Sequence, residues 1–317
     1  MDTKKTEQPI RLPDMNDASL FEPLSKEEKT KAEFIRPSMT YWQDAWQRLK
    51  RDKLALFGLF IILCIFALAI FGPLVSPYAY DEQNFMVANE FPSMAHIFGT
   101  DMFGRDLFVR VMYGARISLA VGLVSSFINV TIGVIYGSLA GFIGGRIDDV
   151  MMRIVDTIRS IPMMIYVILL MVIVGPGLKS IFITLGICYW TNMARIVRAE
   201  IMRIKNEEFV LAARTIGAST SRMLLRHLIP NAMGPILVTL TFCIPQAIFA
   251  EAFLSFVGLG VSAPMASWGV LSSDAMGALI IYPYQLFFPA LAISVTILAF
   301  NFFGDGLRDA LDPRLRK

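Results

Sequence analysis

The sequence predicts an all-α polytopic membrane protein with about six transmembrane helices. Of its 317 residues, 55% are hydrophobic and 17% charged, and the mean hydropathy of +0.57 is too apolar for a soluble domain of that size. Six apolar runs alternate with polar connections, and a helix needs roughly 20 such residues to cross about 30 Å of hydrocarbon. Lys and Arg gather on every second connection, the bias that sets membrane orientation. The net charge of +3 is small, and no basic tract suits a nucleic-acid groove. Cys64, Cys188 and Cys243 lie inside apolar runs without metal-ligand spacing, and His96 and His227 fall on opposite sides of the expected bilayer. No metal site is expected.

The chain opens with a polar stretch to Ile35 that has no sustained apolar period and is expected to be partly mobile. So long a charged lead argues against a cleaved secretory signal. Thr40 and Gln43 have capping-box spacing, and Tyr41, Trp42 and Trp46 interleave with Arg48, Lys50, Arg51 and Lys53. Residues 1–53 are therefore read as a cytosolic tail ending in an interfacial helix, followed by a permeating domain over 54–317. Leu54–Leu74 forms the first span. The connection 75–116 then lies outside, where Gly99 and Gly104 permit turns while Asp101, Arg105 and Asp106 can pair and cap a helix on that surface.

Ser118–Phe142 is the second span, with Gly133, Gly137 and Gly141 every four residues as a close-packing seam. Asp148, Asp149, Arg153, Asp156 and Arg159 follow, and of these Asp149 and Asp156 read as ion-pair partners rather than paired carboxylates for acid catalysis. Ile161–Val174 is the third span, open to extension by the helix before it and turned by Gly175, Pro176 and Gly177, and Ser180–Ala194 is the fourth. Arg195, Arg198, Arg203 and Lys205 mark the inner face. Ala232–Phe256 is the fifth, interrupted by Pro245 and carrying Glu251, which either lines a path, binds a coupling ion or ties helices together. Trp268 in the outer loop is read as an interfacial anchor. The sixth span centres on Pro289–Phe303, and Arg308, Arg314, Arg316 and Lys317 keep its exit inside.

Between the fourth and fifth spans lies a charged, helical insert, 206–231. Phe209, Ala212, Ala213 and Ile216 recur at helical spacing as a small apolar face, opposite Glu207, Glu208 and Arg214. Asn206 can cap this helix and Gly217 can end it in the left-handed region. A second short helix with Met223, Leu224 and Leu228 on one side follows, closed by Pro230.

Ala212-Ala213, then Gly217, then a spacer to Pro230 resembles the EAA coupling loop of bacterial ABC importer permeases, with Leu211 where that family often carries Glu. The string Gly99-Thr100-Asp101, Gly104-Arg105-Asp106 and Gly114–Leu119 is similar to the signature after the first span of the peptide and nickel branch, with Ile97 in place of its usual Pro. The exit Phe300–Arg314 resembles the end of oligopeptide and dipeptide permeases. These motifs run in order from about Trp46 to Arg314. The resemblance implies a type I ABC importer permease fold and a C-type subunit in a bacterial cytoplasmic membrane, both termini cytosolic. It also implies a second, B-type permease, two ATP-binding subunits and an external substrate-binding lipoprotein that delivers peptide. Glu208, Phe209, Ala212, Ala213, Arg214, Gly217 and Pro230 would then meet the ATPase. No Walker-type phosphate loop occurs in the chain, so no cofactor is expected on it, and ATP and Mg belong to the partners. Nickel, glutathione or another small solute stays open as cargo, as does a proton-coupled transporter built on Glu251.

Overall fold

The computed structural model describes residues 40–175, 177–262 and 264–312, with the backbone alone at Met171. The tail before Thr40, Pro176 and the exit from Pro313 to Lys317 lie outside the described residues. The chain divides into two units, Met1–Asp44 and Ala45–Lys317. In the first, the Thr40 amide reaches Gln43 Oε1 (3.1 Å) and the Gln43 amide reaches Thr40 Oγ1 (3.4 Å), the reciprocal capping box at the head of α1 (Tyr41–Leu49).

In the second unit α2 (Lys53–Val75) starts where Asp52 Oδ1 accepts from the Leu54 and Ala55 amides. α3 (Leu107–Ile143) begins at Leu107 rather than Ser118, because Asp106 caps it from the connection. Arg110 and Arg116 hide this first part from a hydropathy reading. α4 (Gly145–Ser160) does precede α5 (Met163–Val174) as the helix expected to extend the third span, but the two are bent by 80° rather than continuous. Pro162 is the cause, since it drives Ile161 to φ −86°, ψ 125°, outside the helical region.

α6 (Leu178–Ile204) continues well past Ala194, because Ala194, Val197, Ile201 and Ile204 remain buried at helical spacing beneath the arginines. α7 (Glu208–Thr215), α8 (Thr220–Arg222), a π-helical turn Met223–Leu228 and α9 (Ile229–Asn231) form the insert. α10 (Met233–Phe256) runs through Pro245 without a break, and α11 (Trp268–Ala275) and α12 (Tyr284–Leu311) complete the chain.

The glycine seam fixes how these helices run. A Cβ on Gly133 would stand 2.5 Å from Met193 Cβ and one on Gly141 would stand 2.7 Å from the Arg198 carbonyl, while one on Gly186 would touch Ile128 at 3.2 Å. Rising numbers on α3 meet rising numbers on α6, so the two helices are parallel neighbours. The chain between them must return to the starting end, and only the α4–α5 pair is available to do it. Among the described residues five helices are long and apolar enough to cross a bilayer, and the bent pair supplies the sixth passage. α10 runs opposite to α3, because Gly122 meets Ile244 and Ile248 while Ser118 meets Glu251. One end of the bundle thus carries the connection 76–106 and α11; the other carries α7.

Candidate functional site

Glu207, not Asn206, occupies the N-cap of α7, extended at φ −71°, ψ 148° and without a side-chain cap bond, and Glu208 stands in the positive first turn. Gly217 ends the helix at φ +82°, and the Ala218 amide reaches back to the Ala213 carbonyl (3.1 Å). The expected four-residue face is divided. Val210 and Ala213 are buried in a cluster with Ile204, Met223, Leu224 and Leu228. Phe209, Ala212, Arg214 and Ile216 face away, with Phe209 44% and Ile216 86% exposed. Pro230 does not close the insert but sits inside α9. The π turn before it routes the Ile229 amide to the Leu224 carbonyl, and only Ala232 separates α9 from α10. α7 is thus packed on the bundle along one side, with bare apolar groups on its free side.

At the other end the six motif residues converge. Asp101 Oδ1 accepts from the Phe103 (2.9 Å) and Arg105 (3.0 Å) amides, and its Oδ2 accepts from Arg105 Nε (2.7 Å). Gly104 takes φ +68° against the Asn84 carbonyl, and Gly99 takes φ +76° where a Cβ would lie 2.5 Å from the Glu90 carbonyl. Thr100 Oγ1 donates to the Val87 carbonyl, and the Thr100 carbonyl accepts from Tyr284 Oη and Gln285 Nε2 of α12, both at 3.0 Å. Asp106 caps the Val109 amide (2.8 Å) and meets His96 Nδ1 at 2.9 Å. These groups fold the connection and clip it to α3 and α12.

Glu251 is fully buried. Its Oε1 accepts from Ser255 (2.8 Å) and Ser267 (2.6 Å) and its Oε2 from Ser118 (3.0 Å), which joins α3, α10 and the head of α11. Three hydroxyl donors on one carboxylate are the arrangement of a tie between helices. Trp268 is no interfacial anchor: it is 2% exposed, with its amide on Ser118 Oγ (3.2 Å) and its indole Nε1 on the Val111 carbonyl (3.0 Å). Its N–H finds a buried acceptor, so the ring stays in the core.

Residues 133–317, which hold the insert and the Glu251 tie, match the family described as binding-protein-dependent transport system inner membrane component. The chain belongs to that family. Residues 40–92 of this permease also match the N-terminal transmembrane domain of oligopeptide transport permease C. The permease is 51% identical to the oligopeptide transport system permease protein OppC of Bacillus subtilis, across 94% of its length and 98% of that protein's. It is likewise 51% identical to the dipeptide transport system permease protein DppC of the same organism, across 93% and 92%. A solved inward-facing form of the MetNI methionine ABC transporter shares its fold, with a TM-score of 0.55 at 22% identity over 64% of this chain and 96% of that one.

Three features of the permease escaped the sequence reading. Arg116 sends Nε to the Ala69 carbonyl (2.5 Å) and Nη2 to the Ile70 carbonyl (2.7 Å) of α2. Pro73 has no N–H, so the Ala69 carbonyl four residues earlier lacks its helical donor, and Arg116 supplies one. Asp148 takes a two-pronged bond from Arg198 (2.5 and 2.6 Å) and ties α4 to α6. Arg110 is 2% exposed, lies 3.6 Å from Asp101, and has no hydrogen-bond partner at Nε or Nη1. A proline in one apolar run and a lone arginine at the edge of another is the signal that could have paired Pro73 with Arg116. Among the described residues no three His, Cys, Asp or Glu side chains are grouped to hold a metal ion.

Proposed function

We propose that this permease forms half of the translocation path of an ATP-driven importer for oligopeptides or dipeptides. A B-type permease would form the other half, two ATP-binding subunits would hold ATP and Mg, and an external lipoprotein would deliver the peptide. The observation that carries the reading is the divided face of α7. Val210 and Ala213 bind it to the bundle, while Phe209, Ala212 and Ile216 are left bare at the bundle's end for a partner's cleft. Exposed apolar groups on a charged helix fit an interface. Peptide as cargo follows the names of the OppC and DppC relatives, identical at half of all positions.

The α7 end would lie in the cytosol, where Arg195, Arg203 and Lys205 collect, and both chain termini would lie there too. Closure of the ATPases would push α7 and, through the buried cluster beneath it, tilt α6 and α10 between two packings. Glu251 serves as a helix tie in this scheme; its three serine partners and the family both favour this over a proton carrier.

The test uses the complex with its partners in proteoliposomes. Phe209→Ser with Ile216→Ser should leave thermal unfolding within about 0.5 kcal/mol of the parent, as surface changes do. ATP-driven peptide uptake should fall at least tenfold. Unaltered uptake would refute the docking role, and so would labelling of a Thr215→Cys variant from outside intact cells.

A further inference from the structure

Between α2, α3 and α12, near the end that carries α11, lies a cavity of about 190 Å³ whose walls are almost wholly apolar. The two polar groups it meets are turned away. Thr296 Oγ1 donates to the Ala292 carbonyl (2.7 Å), and Trp268 Nε1 donates to the Val111 carbonyl. A water molecule needs two to four polar partners, and an apolar cavity of comparable size in a soluble protein stays dry and takes up hydrocarbon. The chemistry therefore selects an apolar occupant.

Position identifies its source. The throat is formed by buried Val111, Met112 and Trp268, and the mouth by exposed Leu68 and Leu291. α2 and α12, which carry the mouth, have only 22% of their apolar windows buried, against 44%, 56% and 50% in α3, α6 and α10. They form the outer wall of the bundle. Phe57, Phe60 and Phe71 on the Leu68 side of α2 and Phe287 and Leu298 on the Leu291 side of α12 are also exposed. Leu68 lies seven residues before the end of α2, roughly 10 Å below that end at 1.5 Å per residue, which is acyl-chain depth.

We propose that a phospholipid acyl chain from the adjacent leaflet enters between Leu68 and Leu291 and lies against Met112 and Trp268. The site requires only that these helices cross a bilayer; it does not depend on what the importer carries. Trp268 is the floor of the cavity and also the residue whose amide meets Ser118 beside Glu251. The lipid tail therefore packs against the indole that helps hold α3 to the head of α11.

The experiment reconstitutes the complex with a phosphatidylcholine carrying a diazirine at the end of one acyl chain, irradiates it and maps the adducts by mass spectrometry. Lipid merely surrounding the bundle labels Leu68 and Leu291. An inserted tail also labels buried Met112 or Trp268. Ala292→Phe, which fills the cavity from its wall, should cut labelling of Met112 and Trp268 at least tenfold and spare Leu291. Leu68→Trp blocks the mouth from an exposed position and should do the same, which covers a failure of the first variant to fold. Adducts confined to Leu68 and Leu291 would overturn the proposal. So would throat labelling unchanged in a folded variant, or a partner's side chain crosslinked to Met112.

Discussion

Replacing Arg116 with Met keeps the apolar stem packed while removing both bonds to α2. Hydrogen bonds from a charged donor contribute about 1.5–3 kcal/mol each, and Ile70 retains its helical donor, so the expected loss is about 2–4 kcal/mol. Most of it should come from the Ala69 carbonyl, left unpaired inside the bilayer because Pro73 has no N–H. That cause has a specific signature. Pro73→Ala restores the missing amide, and in that background Arg116→Met should cost about 1–2 kcal/mol less. The assay is a double-mutant cycle on denaturant unfolding of the purified chain in mixed micelles, with Arg116→Lys as a point-charge control that should recover part of the loss. Equal costs with and without Pro73, within about 0.5 kcal/mol, would show that Arg116 acts through something other than the proline-freed carbonyl.

Gly137→Leu would drive a side chain into the Ala194 carbonyl where α3 and α6 touch. Overpacking of that kind costs about 1–3 kcal/mol or more, and folded permease recovered from membranes should fall sharply, while Gly145→Leu, with open space around it, should pay only backbone strain. Glu251→Ala should cost about 3–5 kcal/mol of unfolding free energy, because three buried hydroxyls lose their acceptor together, at about 1–3 kcal/mol for each one left unpaired. Ser267→Ala should cost less, about 1–2 kcal/mol, removing one of those bonds and the cap of α11. A Glu251→Ala loss no greater than that of Ser267→Ala would refute the tie.

Composition and local pattern carried the spans, because a bilayer demands long apolar helices and leaves few alternatives. The insert was legible in part: Gly217 states its backbone need locally, whereas the Ala212–Ala213 pair did not show that Ala213 alone is buried and Ala212 faces out. What stayed hidden was pairing over distance. Arg198 reaches Asp148 across 50 residues and Ser118 reaches Glu251 across 133, and a charge in an apolar run announces that it has a partner without naming it. Trp268 was misplaced on those grounds, since nothing near it in sequence shows the Val111 carbonyl that takes its N–H. Hydropathy likewise ended α6 at its arginines, although the buried side of the helix continued beneath them.

The bend at Pro162 was harder to read, and it bears on where the start of α2 and the finish of α12 lie. With five passages the start of α2 and the finish of α12 would stand at opposite ends of the bundle. Instead a Cβ on Gly306, near the end of α12, would lie 2.9 Å from Asp52 Oδ2, the cap of α2, and one on Gly58 would lie 3.0 Å from Phe302 Cβ. Start and finish are neighbours, and Gly304, beside them, packs on Thr241 in the half of α10 that follows the insert. An even number of passages is required, so the bent α4–α5 pair must cross even though neither of its helices could do so alone.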